Sequence, residues 1–190
     1  MVYEGYNYRF DICYRMVYNM FIGGSIMFSL GDKVVYPMHG AGVIETMESK
    51  EILGEVKNYY VLKMPIGEMK LMIPVDNVNN IGLRNIIDEK SVEKVYGILK
   101  QKAEINDSNW NKRYRDNMTK MKTGDIFEVA QVVRDLTYRD REKGLSTGEK
   151  KMLVSAKQML ISEISLSTDM DSVGIQDYMD EIINEDALEQ

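Results

Sequence analysis

The sequence predicts an α+β protein: a small antiparallel β-barrel or curled sheet, followed by an all-helical domain of about five helices. Two observations carry this. Between residues 30 and 75, short runs rich in Val, Ile and Tyr alternate with Gly and Pro turns, and no helical period intervenes. After residue 85, apolar residues recur at three- and four-residue spacing instead. The hydrophobic fraction of 44% over 190 residues is enough to build a core under both patterns.

The β runs come in order. "KVVY" is stopped by Pro37, and "GAGVIETMES" continues from a Gly-rich turn. "NYYVLKM" is the third run; "MKLMI" sets Met69, Leu71 and Ile73 against Lys70 and Met72 and ends at Pro74. The turn signals "MHGAG", "ILGE" and "PIGE" separate them. So short a β piece is marginal alone and is expected to pack on the helical half.

The helical half begins with "SVEKVYGILK", which puts Val92, Val95, Tyr96 and Leu99 on one side behind Ser91 as N-cap. "DSNWNKRYRDNMTKMK" places Trp110, Tyr114, Met118 and Met121 on one stripe after an Asp107/Ser108 cap, and Thr123-Gly124-Asp125 breaks it. Ile126, Val129, Ala130, Val133 and Leu136 define the next helix, closed by Gly144 at its C′ position. Ser146 and Glu149 form a capping box for a helix carrying Met152, Leu153, Ala156, Leu160 and Ile164. A last short helix is expected around "IQDYMDEIINEDAL".

Several function classes are disfavoured. One cysteine, Cys13, rules out an intrachain disulfide, and with one histidine, His39, it cannot supply a Cys/His zinc site. A reducing, cytoplasmic setting fits, and no run reaches the ~20 apolar residues of a membrane helix. No Gly-rich phosphate motif is present, and His39 in "YPMHGAG" has no Ser, Cys or carboxylate at an interpretable spacing. Pro37 and Gly40 therefore read as turn residues, and no enzyme, metal or cofactor is expected. Carboxylates such as Glu45 with Glu48, or Asp169 with Asp171, read as solvated faces. Met27 reads as the natural start, with residues 1–26 a poorly ordered extension rather than a signal peptide.

Charge is segregated under the net value of −6. Lys112, Arg113, Arg115, Lys120 and Lys122 face only Asp116 within one helix, whereas no Lys or Arg follows Glu163. The acidic total therefore says little about the segment around Trp110, the only tryptophan. Trp110 has two readings from pattern alone. It heads the core stripe, or it projects outward at the helix end beside cations, the chemistry of a nucleic-acid contact.

"GDKVVYPMHGAGVIE", "NWNKRYRDNMTKMKTGD" and "VAQVVRDLTYRDREKGLSTGEKKMLVSAKQMLISEIS" resemble, in this order, the CarD/CdnL family of bacterial transcription regulators. The likeness runs from about Met27 to the low 180s. It implies three parts: residues 1–26 outside the family, a Tudor/SH3-like RNA polymerase-interaction domain over 27–84, and a helical DNA-binding domain over 85–190. The first domain type, shared with transcription-repair coupling factors, docks on the polymerase β subunit. The second meets the upstream edge of the promoter bubble with a tryptophan wedge. By this resemblance Trp110 is the wedge, and Lys112, Arg113 and Arg115 are its phosphate partners. Lys50 and Met72 take polymerase-docking positions, Met72 standing where other members can carry arginine. The resemblance implies a monomer, associated with the nucleoid through polymerase, that stabilises the open complex. The alternative is a protein-only polymerase adaptor with Trp110 buried.

Overall fold

The computed structural model describes residues 28–67, 69–103 and 109–185. The expectations for residues 1–26, the start at Met27, and the Asp107/Ser108 cap lie outside the described residues.

Five antiparallel strands form one sheet: β1 (Lys33–Tyr36), β2 (Gly40–Ile52), β3 (Glu55–Lys63), β4 (Lys70–Pro74) and β5 (Arg84–Asn85), in the order β4-β3-β2-β1-β5. Among the described residues β4 and β5 are not paired with each other, so the sheet is open rather than a closed barrel. A register shift between Ile44 and Thr46 marks a bulge in the β2–β3 ladder, a device that bends a strand. The β2–β3 hairpin turns on Leu53 and Gly54, both at positive φ, the combination that suits a tight two-residue turn. One sheet face buries Val34, Ile44, Tyr60, Leu62 and Ile73. The Tyr60 hydroxyl accepts the Phe28 amide at 3.2 Å, which satisfies the polar end of a fully buried ring.

After a 3-10 turn (Val75–Asn77), the short α1 (Val78–Ile81) leads back into β5, ending on Gly82 in the left-handed region. Five further helices follow: α2 (Glu89–Leu99), α3 (Trp110–Thr123), α4 (Ile126–Glu142), α5 (Thr147–Thr168) and α6 (Ser172–Glu185). The predicted core stripes of α2, α4 and α5 are largely buried; Tyr96 and Leu153 are half-buried at the edge. The capping box of α5 forms, with Ser146 and Glu149 each holding the other's amide. Gly144 follows α4 at a positive φ, as a C′ residue should. The cap of α2 is Asp88, whose carboxylate accepts from Ser91 N at 2.9 Å. Ser91 itself lies inside the first turn, because Asp88 offers a charged acceptor three residues earlier. Helix α6 starts before "IQDY" because Asp171 accepts from the Val173 and Gly174 amides.

The sheet and helices meet along the C-terminal half of α5. Ser162 Oγ accepts the buried Ala41 amide at 2.9 Å and donates to Met159 O. Gly40 has a positive φ, and a Cβ there would stand 2.5 Å from Ser162 Oγ, so glycine is required on two counts. Buried Glu163 takes both terminal nitrogens of Arg84, at 2.7 and 2.9 Å, and the Ile87 amide at 3.1 Å. Arg84 also donates to Gly124 O. Met38 and Ile66, from turns of the sheet domain, pack on the helical core.

Candidate nucleic-acid interface

Helix α3 begins at Trp110, behind Asn109, whose side chain accepts from Asn111 N at 3.0 Å. Its apolar stripe sinks progressively: Tyr114 and Met118 are half-buried and Met121 is fully buried. Trp110 overhangs the end of that stripe with 55% of its surface exposed. Leaving that much indole in water forgoes on the order of 2 kcal/mol of burial. The tryptophan thus keeps the meridian of the stripe but not its core environment.

The cations divide. Lys112 and Arg115 are exposed and form no ion pair among the described residues. By helical spacing Lys112 projects from the side opposite the Trp110–Tyr114 stripe, and Arg115 from its flank, about a third of a turn around the axis. Lys122 is also exposed, while Lys120 donates to Gln131 Oε1 at 3.0 Å. Arg113, the third cation expected as a phosphate partner, is the buried one. It is 8% exposed, and its Nε and Nη2 both donate to Glu149 Oε1, at 3.2 and 2.9 Å. The physical reason is Glu149, a carboxylate only 1% exposed that lies against this turn of α3 and needs a partner.

Glu149 is shared between two tasks. Oε2 accepts from the Ser146 amide and hydroxyl at 3.0 and 2.7 Å, and Oε1 serves Arg113. Burial pushes its carboxyl upward, but the Ser146 hydroxyl and amide and the Arg113 guanidinium outweigh this and hold it below the usual range. Beside this pair, the Tyr114 ring lies over Gly148, where a Cβ would stand 3.4 Å from Cε2. The S-x-x-E spacing showed the capping box; nothing in the spacing of the cations on α3 showed that one of them would be drawn into it.

The two residues expected at a polymerase-facing surface lie together. Lys50 Nζ stands 3.1 Å from Met72 Sδ, and 3.6 Å from Glu48 Oε2. Ladder register places Lys50, Lys57, Val61 and Met72 on one face across β2, β3 and β4. Sequence reading missed the exposed apolar tip of the β2–β3 hairpin: Ile52, Val56 and a fully exposed Leu53. The signal was available, since "ILGE" reads as a turn, and a leucine in a tight turn has nowhere to bury. His39 is exposed, with its ring 4.4 Å from that of Tyr36 and its amide bonded to Tyr36 O, in keeping with a turn residue. Among the described residues no cluster of His, Cys, Asp and Glu could hold a metal ion, and no helix is long and apolar enough to cross a membrane.

Comparison with known proteins agrees with this two-part construction. Residues 28–87 match the family model described as the CarD-like/TRCF RID domain, a type that interacts with RNA polymerase. Residues 94–180 match the CarD C-terminal domain. Over 140 residues the chain is 43% identical to a Bacillus subtilis (strain 168) protein named "Putative transcription factor YdeB", covering 74% of this chain and 92% of that protein. With both domains matched in order and this identity along most of its length, the chain belongs to the CarD family.

Proposed function

We propose that this protein is a non-enzymatic transcription regulator that holds the β subunit of RNA polymerase through its sheet domain. Its helical domain meets promoter DNA at the upstream edge of the bubble and favours the open complex. The observation that carries the reading is Trp110, more than half exposed at a helix end whose other sides carry Lys112 and Arg115, cations without an ion pair among the described residues. An indole in that position can wedge at an opened base step, and the cations can neutralise flanking phosphates. Lys50 and Met72 mark the polymerase-facing surface. Tethering on polymerase raises the local concentration of the helical domain at the promoter, so its DNA contact need not be strong alone. A wedge that binds only the distorted junction shifts the closed-to-open equilibrium by its differential affinity. About 1.4 kcal/mol of such preference is tenfold.

Trp110→Ala should shorten open-complex lifetime on a promoter stabilised by the wild type while polymerase binding is retained. An unchanged lifetime defeats the wedge. Removing Lys112 and Arg115 should flatten the log–log salt dependence of junction binding by roughly 0.9 per phosphate contact on duplex DNA. A slope that does not change would place the phosphate contacts elsewhere. The adaptor alternative needs a protected tryptophan, and the exposure of Trp110 argues against it.

A further inference from the structure

We propose that Arg113 is a positioning residue for Trp110. Its buried pair with Glu149 fixes the first turn of α3, so that the indole meets DNA in one orientation. The proposal rests on the wedge reading and gives the arginine beside the wedge a different task from its cationic neighbours.

Among the described residues the first turn of α3 has little else to hold it. Asn109, Trp110, Asn111 and Lys112 are all exposed, and the turn contains no acidic residue to complement the helix dipole. Among the described residues the Asn109 side chain accepts from the Asn111 amide alone. Arg113 is the first residue of the helix to be buried, one turn beyond Trp110, so any swing of that turn passes directly to the indole. Its guanidinium meets a carboxylate that is itself immobilised, because the other Glu149 oxygen is fixed by Ser146 at the start of α5. A buried ion pair adds little net stability over an apolar pair of the same shape, but its directional bonds restrict geometry. The fork matters as well as the charge: Nε and Nη2 converge on one oxygen, which a lysine cannot reproduce.

Trp110 is the only tryptophan, so its fluorescence reports this turn alone. The full chain carrying Arg113→Lys should keep wild-type far-UV circular dichroism and unfold cooperatively. Its fast local depolarisation of tryptophan emission should increase, and its affinity for a forked duplex should fall roughly tenfold, within the range for residues coupled through a backbone shift. That fall should vanish when Trp110 is already alanine. If Arg113→Lys unfolds, the neutral pair Arg113→Gln/Glu149→Gln takes its place with the same expected readouts. The proposal is overturned if depolarisation is unaltered in the folded variant. It is equally overturned if the affinity loss is the same with and without Trp110, since Arg113 would then act on DNA directly. Wild-type fork binding by Trp110→Ala would defeat the wedge reading instead, and the depolarisation arm would still decide the positioning.

Discussion

Helix α5 carries a buried glutamate near each end, and an arginine from another element answers each. At the N-terminal end Glu149 binds Arg113 and caps its own helix. Near the C-terminal end Glu163 binds Arg84, next to β1, and the Ile87 amide. The first pair lies inside the helical domain, one turn of α3 from Trp110; the second ties the sheet to the helices. They differ in their access to water: the Arg113 side chain is 9% exposed and that of Arg84 is 31%. Two pairs of one chemistry therefore rest in different dielectric surroundings, and the cost of stranding one partner should differ accordingly.

The largest effect comes from that difference. Glu149→Ala leaves Arg113 charged in the interior and removes half of a capping box. It should cost about 3–5 kcal/mol, the range for a buried pair deprived of one partner. Glu163→Ala should cost less, about 2–3 kcal/mol, because the Arg84 side chain is 31% exposed and can turn to water. Urea midpoints compared at a constant m-value would measure both. Equal costs would mean that the seam is as closed to water as the helix end, and the contrast between the two pairs would fail.

How far the sequence disclosed these two regions differs as well. The Ser146–Glu149 box was legible because its spacing encodes a local interaction, and so were β1 to β4 and the stripes of α2 through α5, but not the two-residue β5. The partner of Glu149 was not legible. Lys112, Arg113 and Arg115 look alike in a sequence, and only the packing of α3 on α5 selects the middle one for burial. That the sheet packs on the helices was expected, but the residues of the seam were missed, although they left a trace. Ser162 and Glu163 interrupt the buried run Met159, Leu160, Ile161 and Ile164, and polar residues inside such a run must have partners. Those partners, Ala41 and Arg84, lie 121 and 79 residues away, beyond the reach of any local pattern. Trp110 was legible as an open alternative, and its overhang became visible only where the core of α3 ends.

Acid should separate the ends by a second, smaller effect. The Glu149 carboxyl is held below its unfolded value, so on acidification the unfolded chain takes up this proton first. The stability it contributes is complete above the unfolded pKa and is lost as pH falls through the folded one. The acid limb of a stability–pH profile should therefore be flatter in Glu149→Gln than in the wild type. Glu45 and Asp88 are also held low, but both lie at the surface and are capable of only a screened share. An identical acid limb in the variant would assign the linkage to those surface groups and remove Glu149 from it.

The smallest effect tests whether the seam is held by its interior or its rim. Lys33 Nζ lies 2.9 Å from Asp169 Oδ1 and 2.7 Å from Leu166 O, at the outer edge of the contact between β1 and α5. The Asp169 side chain is 86% exposed, so solvent screens the pair and side-chain entropy opposes it. Asp169 also closes α5 in the left-handed conformation, which asparagine tolerates equally well. Asp169→Asn thus removes the charge and keeps the turn, and should cost less than about 1 kcal/mol, shrinking further in high salt. A loss approaching that of Glu163→Ala would shift the seam's stability outward to the rim. It would also make the fit of sheet to helices dependent on salt, which an interior network of Ser162, Glu163 and Arg84 does not allow.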